Sequence, residues 1–117
     1  MTITLVKTLI SRAKEQIETL MQEDAEAQVA AGSAQFVDIR DIRELKRESR
    51  IPGAMHALRG MLEFWVDPAS PYHKPEFITD KKFVLFCAGA WRSALAVKIL
   101  QDMGFETIAE MEGGFVA

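Results

Sequence analysis

The single cysteine, Cys87, is the residue whose position best fits a nucleophile. It follows the apolar run 83–86, which is typical of a buried strand, and it precedes residues 93–100, which favour a helix. A sulfur at such a junction would face unpaired backbone N–H groups and the positive end of a helix dipole. Both effects favour the thiolate, the reactive form of cysteine. Cys87 is therefore predicted to act as a nucleophile.

The residues after the cysteine suit a loop that binds an anion. Three small residues allow a tight loop whose backbone amides point inward around the sulfur. Arg92 adds a fixed positive charge that could hold an oxyanion or brace the loop carbonyls, and Ser93 could cap the helix or act as an extra donor. The predicted loop consists of Ala88, Gly89, Ala90, Trp91, Arg92 and Ser93.

Two residues of this region allow more than one interpretation. A lone cysteine in an apolar setting is more often an inert core residue than a catalyst. Burial alone would not call for Gly89, Arg92 and Ser93 directly after the strand, so we favour catalysis. Trp91 could pack under the helix or form a lid and recognition surface beside the sulfur, and we expect it to be exposed.

Predicted helices and strands alternate along the chain. In the first segment, apolar residues recur at steps of three and four, which is one face of an amphipathic helix. The alternation favours an α/β fold with a parallel sheet covered by helices on both faces, and in such sheets ligands lie beyond the carboxyl ends of the strands. We predict helices over 6–21, 24–31, 40–50 and 93–100, strands over 35–39, 82–86 and 107–111, and an irregular or partly helical segment over 60–80.

Composition and charge argue against several classes of protein. The 117 residues fall within the usual size of one domain, which we assign to residues 1–117. The net charge of -3 argues against a general nucleic-acid binder, because such proteins need clustered Lys and Arg. One cysteine and two separated histidines match no common zinc spacing, and no apolar run approaches the length of a membrane span. We therefore expect a cytoplasmic protein without metal, nucleic-acid or membrane partners.

Four segments of the chain resemble, in the same order, the signatures of the rhodanese-like domain family. The segment around the cysteine carries most of the resemblance, since it joins an apolar strand, the cysteine and an Arg-Ser pair. The resemblance covers roughly residues 10 to 117. The four segments are Val37-Asp38-Ile39-Arg40, Ile51-Pro52-Gly53-Ala54, the run from 83 to 94, and Met111-Glu112-Gly113-Gly114-Phe115.

The resemblance implies a three-layer α/β domain around a central five-stranded parallel sheet with helices on both faces. It also implies a sulfurtransferase, in which Cys87 takes the outer sulfur of thiosulfate or a related small anionic donor and releases sulfite. The resulting persulfide would pass its sulfur to cyanide, a thiol or a protein acceptor, with no external cofactor. The loop amides would stabilise the anions, and Arg92 would bind the anionic part of the donor.

The loop departs from the family pattern next to the cysteine. Family loops commonly place glycine three positions after the cysteine, whereas here Gly89 comes one position earlier and Ala90 takes that place. The bulky Trp91 then precedes Arg92. Loop shape and donor preference are the properties that these differences would affect.

Further candidates around the predicted pocket have structural alternatives. Asp38 and Arg40 end a predicted buried strand, where we expect a structural ion pair or cap rather than a catalytic pair. His56 could line the pocket, but we expect a structural histidine with satisfied hydrogen bonds. The two glycines 113 and 114 are expected to permit a tight turn near the catalytic loop.

The segment 40–59 is locally basic, with 6 basic and 3 acidic residues. It could be a solvated helix face, or it could provide a field that draws in a small anion. Arg59, together with Arg43 and Arg50, could guide an anionic donor, because the first signature and the Pro-Gly turn border the site in the family. Charge distribution alone leaves both interpretations open.

Two other functions compete with sulfur transfer. Cysteine phosphatases of related fold also use a cysteine and an arginine around an anion loop, but their signature has five intervening residues, whereas four separate Cys87 from Arg92. The shorter ring suits one sulfur atom better than a tetrahedral phosphate. A persulfide carrier without turnover, or a sulfur- or redox-sensing module, would need the same reactive thiol.

Overall fold

Five parallel strands form the centre of the computed structural model, which describes residues 2–115. The strands lie in the order β1-β5-β4-β2-β3, and every neighbouring pair is parallel. The strands are β1 (Glu18–Leu20), β2 (Ala34–Asp38), β3 (Met55–His56), β4 (Lys82–Phe86) and β5 (Ile108–Met111). The helices are α1 (Val6–Lys14), α2 (Gln22–Ala30), α3 (Ile42–Glu48), α4 (Leu62–Val66) and α5 (Trp91–Asp102), with 3-10 turns at Arg59–Met61 and Pro75–Phe77.

The central strand β4 brings the cysteine to the carboxyl edge of the sheet. It pairs with β2 on one side and β5 on the other. Four of its five residues are buried, as a parallel strand covered on both faces requires, and this explains why its sequence is continuously apolar. Cys87 follows directly, so it lies beyond the carboxyl end of the middle strand.

Two apolar layers cover the sheet. Phe83 and Leu85 belong to one core cluster, while Val84 and Phe86 belong to the other, because successive side chains of a strand point to opposite faces. Helix α5 supplies Val97 and other residues to the first cluster, and α2 supplies residues to the second. The predicted fold, a five-stranded parallel α/β domain with helices on both faces, is confirmed. The predicted domain limits, residues 1 and 117, lie outside the described part of the chain.

The prediction of one long first helix was wrong. Helix α1 ends at Lys14, and Glu18–Leu20 form the edge strand β1 beside β5. Ile17 packs against one core cluster and Leu20 against the other, so these residues serve opposite faces of the sheet. The helical spacing of apolar residues continues past Lys14 in the sequence, but pairing with β5 decides the conformation.

Smaller differences concern the turns and short elements. The short strand β3 was not predicted, since it has only two residues and is defined by its pairing with β2. Helix α5 begins at Trp91, two residues before the predicted start. The segment 60–80 contains α4 between two 3-10 turns, as an irregular or partly helical segment should. Among residues 2–115, no helix has both the length and the apolar character needed to cross a membrane.

Candidate active site

Cys87 lies between β4 and α5, at the inner end of the predicted loop. The residue is only 1% exposed and belongs to the larger core cluster. Its surroundings are not purely apolar, because the thiol donates a hydrogen bond to the Ser93 hydroxyl, with 3.7 Å between Sγ and Oγ.

The loop turns into α5 through a left-handed residue. Ala90 has φ 67° and ψ 13° and stands immediately before the helix. This conformation costs a residue with a Cβ about 1–2 kcal/mol, and Ala90 is the position at which the family pattern places glycine. Within residues 2–115, the backbone N–H groups of 88, 89 and 90 donate to no protein acceptor. They are therefore free to bind an anion.

The turn at Gly113 and Gly114 packs against the backbone of this loop. A Cβ on Gly114, which has φ 69°, would lie 2.5 Å from the Cys87 carbonyl oxygen and 2.8 Å from that of Ala88. The close approach lets the N–H of Phe115 donate to the Cys87 carbonyl at 2.7 Å. The expected tight turn near the catalytic loop is thus present, and it fixes the backbone of the cysteine itself.

Arg92 is held by a carboxylate of α3. Its two terminal nitrogens donate to Glu44 at 2.7 and 2.9 Å. The Arg92 hydrogen bonds lower the pKa of Glu44 to about 2, and they raise the pKa of Arg92, with a smaller contribution from the neighbouring Cys87. The described contacts of Arg92 thus go to Glu44 rather than to loop carbonyls, and its binding of a donor anion stays a prediction.

Glu44 is itself fixed by the start of its helix. The Asp41 side chain accepts from the N–H of Arg43 at 2.8 Å, and the N–H of Asp41 donates to Glu44 at 3.2 Å, which forms a capping box. The guanidinium of Arg92 then borders a cavity of about 180 Å³. The other residues that line this cavity are Ile39, Asp41, Leu58, Arg59 and Gly60.

Ser93 does not cap helix α5, because Ala90 occupies the N-cap position. Its hydroxyl is fully buried and donates to Oε1 of Glu110 at 3.1 Å. The cap predicted for Ser93 is therefore wrong, and its hydroxyl donates to Glu110 while it accepts from Cys87, so a role as an extra donor to an anion at the sulfur stays a prediction. Trp91, on the first turn of the same helix, is 57% exposed, as expected.

Asp38 and Arg40 form the expected buried ion pair. Arg40 donates to both carboxylate oxygens of Asp38, with a shortest distance of 2.7 Å, and stacks 4.0 Å from the Phe115 ring centroid. The hydrogen bonds with Asp38 raise the pKa of Arg40. Nε2 of His56 lies 2.7 Å from the Arg40 carbonyl oxygen. Asp38 and Arg40 thus bond to each other and His56 bonds to the Arg40 carbonyl, while Nη1 of Arg40 has no hydrogen-bond partner among residues 2–115.

Arg59 is the one member of the predicted pocket set that shares a cavity with Arg92. It also donates to Glu63 at 2.7 Å. Asp38, Arg40 and His56 do not line that cavity. The structure thus separates the pocket candidates into a bordering arginine and a supporting buried network.

Comparison with known proteins assigns the family. The family model for the rhodanese-like domain matches residues 21–117. This chain belongs to the rhodanese-like domain family. The match begins later than residue 10, where the resemblance in the sequence starts, and it includes every segment that carries the predicted site.

Solved structures resemble this rhodanese-like domain over most of its length. A protein of unknown function from Rhodopseudomonas palustris CGA009, described as a possible tyrosine phosphatase, is 52% identical, with a TM-score of 0.91 over 98% of this chain and 89% of that one. A rhodanese-related protein from Thermoplasma volcanium is 24% identical, with a TM-score of 0.65 over 83% and 85%. A human single-domain sulfurtransferase is 21% identical, with a TM-score of 0.68 over 83% and 90%. The last two likenesses establish the fold.

Sequence reasoning missed two carboxylates of this rhodanese-like domain, Glu44 and Glu110. Glu44 could have been found from the spacing Asp41-x-x-Glu44, which is a capping-box signal at the start of a helix. Glu110 interrupts the apolar strand 108–111, and a charge inside a buried strand requires partners. The sequence could signal that such partners exist but not which residues they are.

Proposed function

We propose that this rhodanese-like domain is a sulfurtransferase in which Cys87 carries sulfane sulfur as a persulfide. The observation that carries the proposal is the surroundings of one sulfur atom. Cys87 directly follows the central strand, the three following amides have no protein acceptor within residues 2–115, and Arg92 lies beside the cysteine. Unpaired amides and a neighbouring cation stabilise a thiolate and a persulfide anion.

The transfer proceeds in two displacements. The Cys87 thiolate attacks the outer sulfur of thiosulfate, a new S–S bond forms, the S–S bond of the donor breaks, and sulfite leaves with the electron pair. An acceptor such as cyanide then attacks the outer sulfur of the persulfide. Thiocyanate leaves, and the bond electrons return to Cys87 as thiolate, so no external cofactor is consumed.

The loop favours sulfur over phosphate. Four residues separate Cys87 from Arg92, one fewer than the phosphatase signature requires. Arg92 is bound on both terminal nitrogens by Glu44, so it faces the site as half of an ion pair.

A sulfur-loading assay tests the proposal. The protein is incubated with thiosulfate, its intact mass is measured, and cyanide is added while thiocyanate is followed. We expect the mass of one added sulfur atom, its loss on addition of cyanide, and neither change in Cys87→Ser. Equal behaviour of the two proteins would overturn the proposal, and hydrolysis of an aryl phosphate that depends on Cys87 would identify a phosphatase instead.

One observation favours a persulfide carrier as the second candidate. Cys87 is 1% exposed, whereas the neighbouring Trp91 is 57% exposed. A buried sulfur behind an exposed aromatic side chain suits delivery to a docked protein, because aromatic residues are enriched at partner surfaces. Persulfide that forms on Cys87 but resists cyanide, and that is removed by a protein thiol, would identify the carrier.

A further inference from the structure

Glu110 is a buried carboxylate for which the proposed transfer has no use. It lies in the middle of β5 with no exposed surface. A carboxylate in this setting requires hydrogen bonds and a cation to offset its desolvation. It receives them from three other elements: Lys14 of α1 at 3.2 Å, Thr19 of β1 at 2.9 Å and Ser93 of α5 at 3.1 Å.

Glu110 is the acceptor in all three of these hydrogen bonds. Lys14 and Thr19 donate to Oε2, while Ser93 donates to Oε1. A serine hydroxyl has one proton, and that of Ser93 is committed to Glu110. Ser93 therefore faces Cys87 with its lone pairs, and the Cys87 thiol donates to it at 3.7 Å. A continuous chain of donors runs from the sulfur to the carboxylate.

We propose that Glu110 is a positioning residue that receives the Cys87 thiol proton through Ser93. This inference rests on the proposed role of Cys87 as a nucleophile. When the sulfur attacks, its S–H bond breaks and the proton moves to Oγ of Ser93, while the hydroxyl proton of Ser93 moves to Oε1 of Glu110. Ser93 ends as a hydroxyl, Glu110 as a carboxylic acid, and the S–H electron pair forms the new bond to the electrophile.

The proton path from Cys87 reaches solvent on the Lys14 side of Glu110. The Lys14 side chain is 35% exposed and lies against Oε2. The proton that Glu110 acquires passes to solvent on that side, and the base is restored for the next cycle. Strand β4 faces Glu110 with Leu85, which carries no charge.

The relay and a purely electrostatic effect predict opposite outcomes. A buried anion near a sulfur opposes formation of a thiolate, so its removal would make the thiol more reactive if only its field mattered. If Glu110 accepts the proton, its removal makes the thiol less reactive. The difference is largest at low pH, where little free thiolate exists and attack depends on the internal base.

Alkylation of the full chain by iodoacetamide measures this directly. The reaction forms one S–C bond, breaks one C–I bond and leaves the thiol proton to be accepted by a base. At about pH 5 we expect Glu110→Gln to react about 100-fold more slowly than the wild type, at the lower end of the usual contribution of a positioned base. The two proteins should converge at high pH, where the thiolate forms without help.

Three further variants test the path through Ser93 and control for the change of charge. Ser93→Ala is expected to lose the same low-pH rate, and adding Glu110→Gln to it should change nothing more. Glu112→Gln removes an equal charge from an exposed position just after β5 and should react like the wild type. Thermal unfolding of each variant shows that the compared proteins are folded at the temperature of the assay.

The outcomes separate this inference from the proposed function. Unchanged or faster low-pH alkylation in Glu110→Gln, or an equal effect of that change with and without Ser93, would overturn the relay. Because iodoacetamide is not a sulfur donor, this result leaves persulfide formation from thiosulfate unaffected. Conversely, slow alkylation in both variants without any persulfide in the wild type would support the relay and refute the transferase.

Discussion

Asp38 and Glu110 are two buried carboxylates on strands β2 and β5, which lie on either side of β4, yet they differ in what their partners connect. Asp38 is bound by Arg40, two residues further along the same segment. Glu110 is bound by residues of three separate elements, one of which touches the sulfur. The Asp38–Arg40 pair lies within one segment and stabilises that segment. The hydrogen bonds of Glu110 connect separate elements, so a change in one of their groups can affect another.

Breaking the Asp38–Arg40 pair should have the largest effect on stability. Asp38→Ala leaves Arg40 charged and fully buried without its main partner, so we expect a loss of about 3–5 kcal/mol in the free energy of unfolding. Urea denaturation followed by tryptophan fluorescence measures this loss. The double change with Arg40→Met should lose less, because no buried charge then remains alone. A loss no larger than that of Glu110→Gln would remove the distinction between the two networks.

The Glu44–Arg92 ion pair extends the comparison of the two networks, because it is partly exposed and its carboxylate becomes protonated at low pH. The pKa of Glu44 lies at about 2, below its ordinary value of 4.5. A lowered folded-state pKa stabilises the fold above the ordinary value, and this contribution is lost as the pH falls from 4.5 towards about 2. Glu44→Gln should therefore lose about 1 kcal/mol at neutral pH.

Urea titrations at several pH values test this dependence. The difference between the wild type and Glu44→Gln should shrink below pH 4.5 and vanish near the lowered pKa. A difference that is constant across this range would show that the glutamine acts through packing and not through the lost charge.

The smallest expected effect concerns the loop backbone between these networks. Ala90→Gly relieves the left-handed conformation at φ 67°, and after the greater flexibility of glycine in the unfolded chain is subtracted, we expect a gain of about 0.5–1 kcal/mol. Gly89→Ala is the matched control, because its φ is not positive and a Cβ there would meet nothing within 4 Å. Equal effects of the two changes would contradict the assigned strain.

The elements nearest the sulfur were predictable because their signals are local. The cysteine is placed at the carboxyl edge of the sheet by three local features: the apolar run of β4, the small residues after Cys87 and the apolar helix α5. The ion pair of Asp38 and Arg40 was also predictable, since its members are two residues apart. In each case the residues that form the feature lie within a few positions of one another in the sequence.

The remaining features depend on contacts between distant segments. Strand β1 exists because Thr19 and its neighbours pair with β5, some 90 residues later, and no periodicity within the segment reveals that. The partners of Glu44 and Glu110 are likewise 48 and 17 or more positions away. Sequence patterns show that such carboxylates need partners, but only the packed sheet determines which ones they meet.

The contact of Gly114 and Phe115 with the backbone of Cys87 has a consequence for biosynthesis. The carbonyl of Cys87 obtains its hydrogen bond only from an amide 28 positions later, as Phe115 docks over the loop. While the ribosome is still adding residues, the loop emerges before the segment that secures it. This hydrogen bond to the Cys87 carbonyl therefore forms only after the chain has been synthesised at least as far as Phe115.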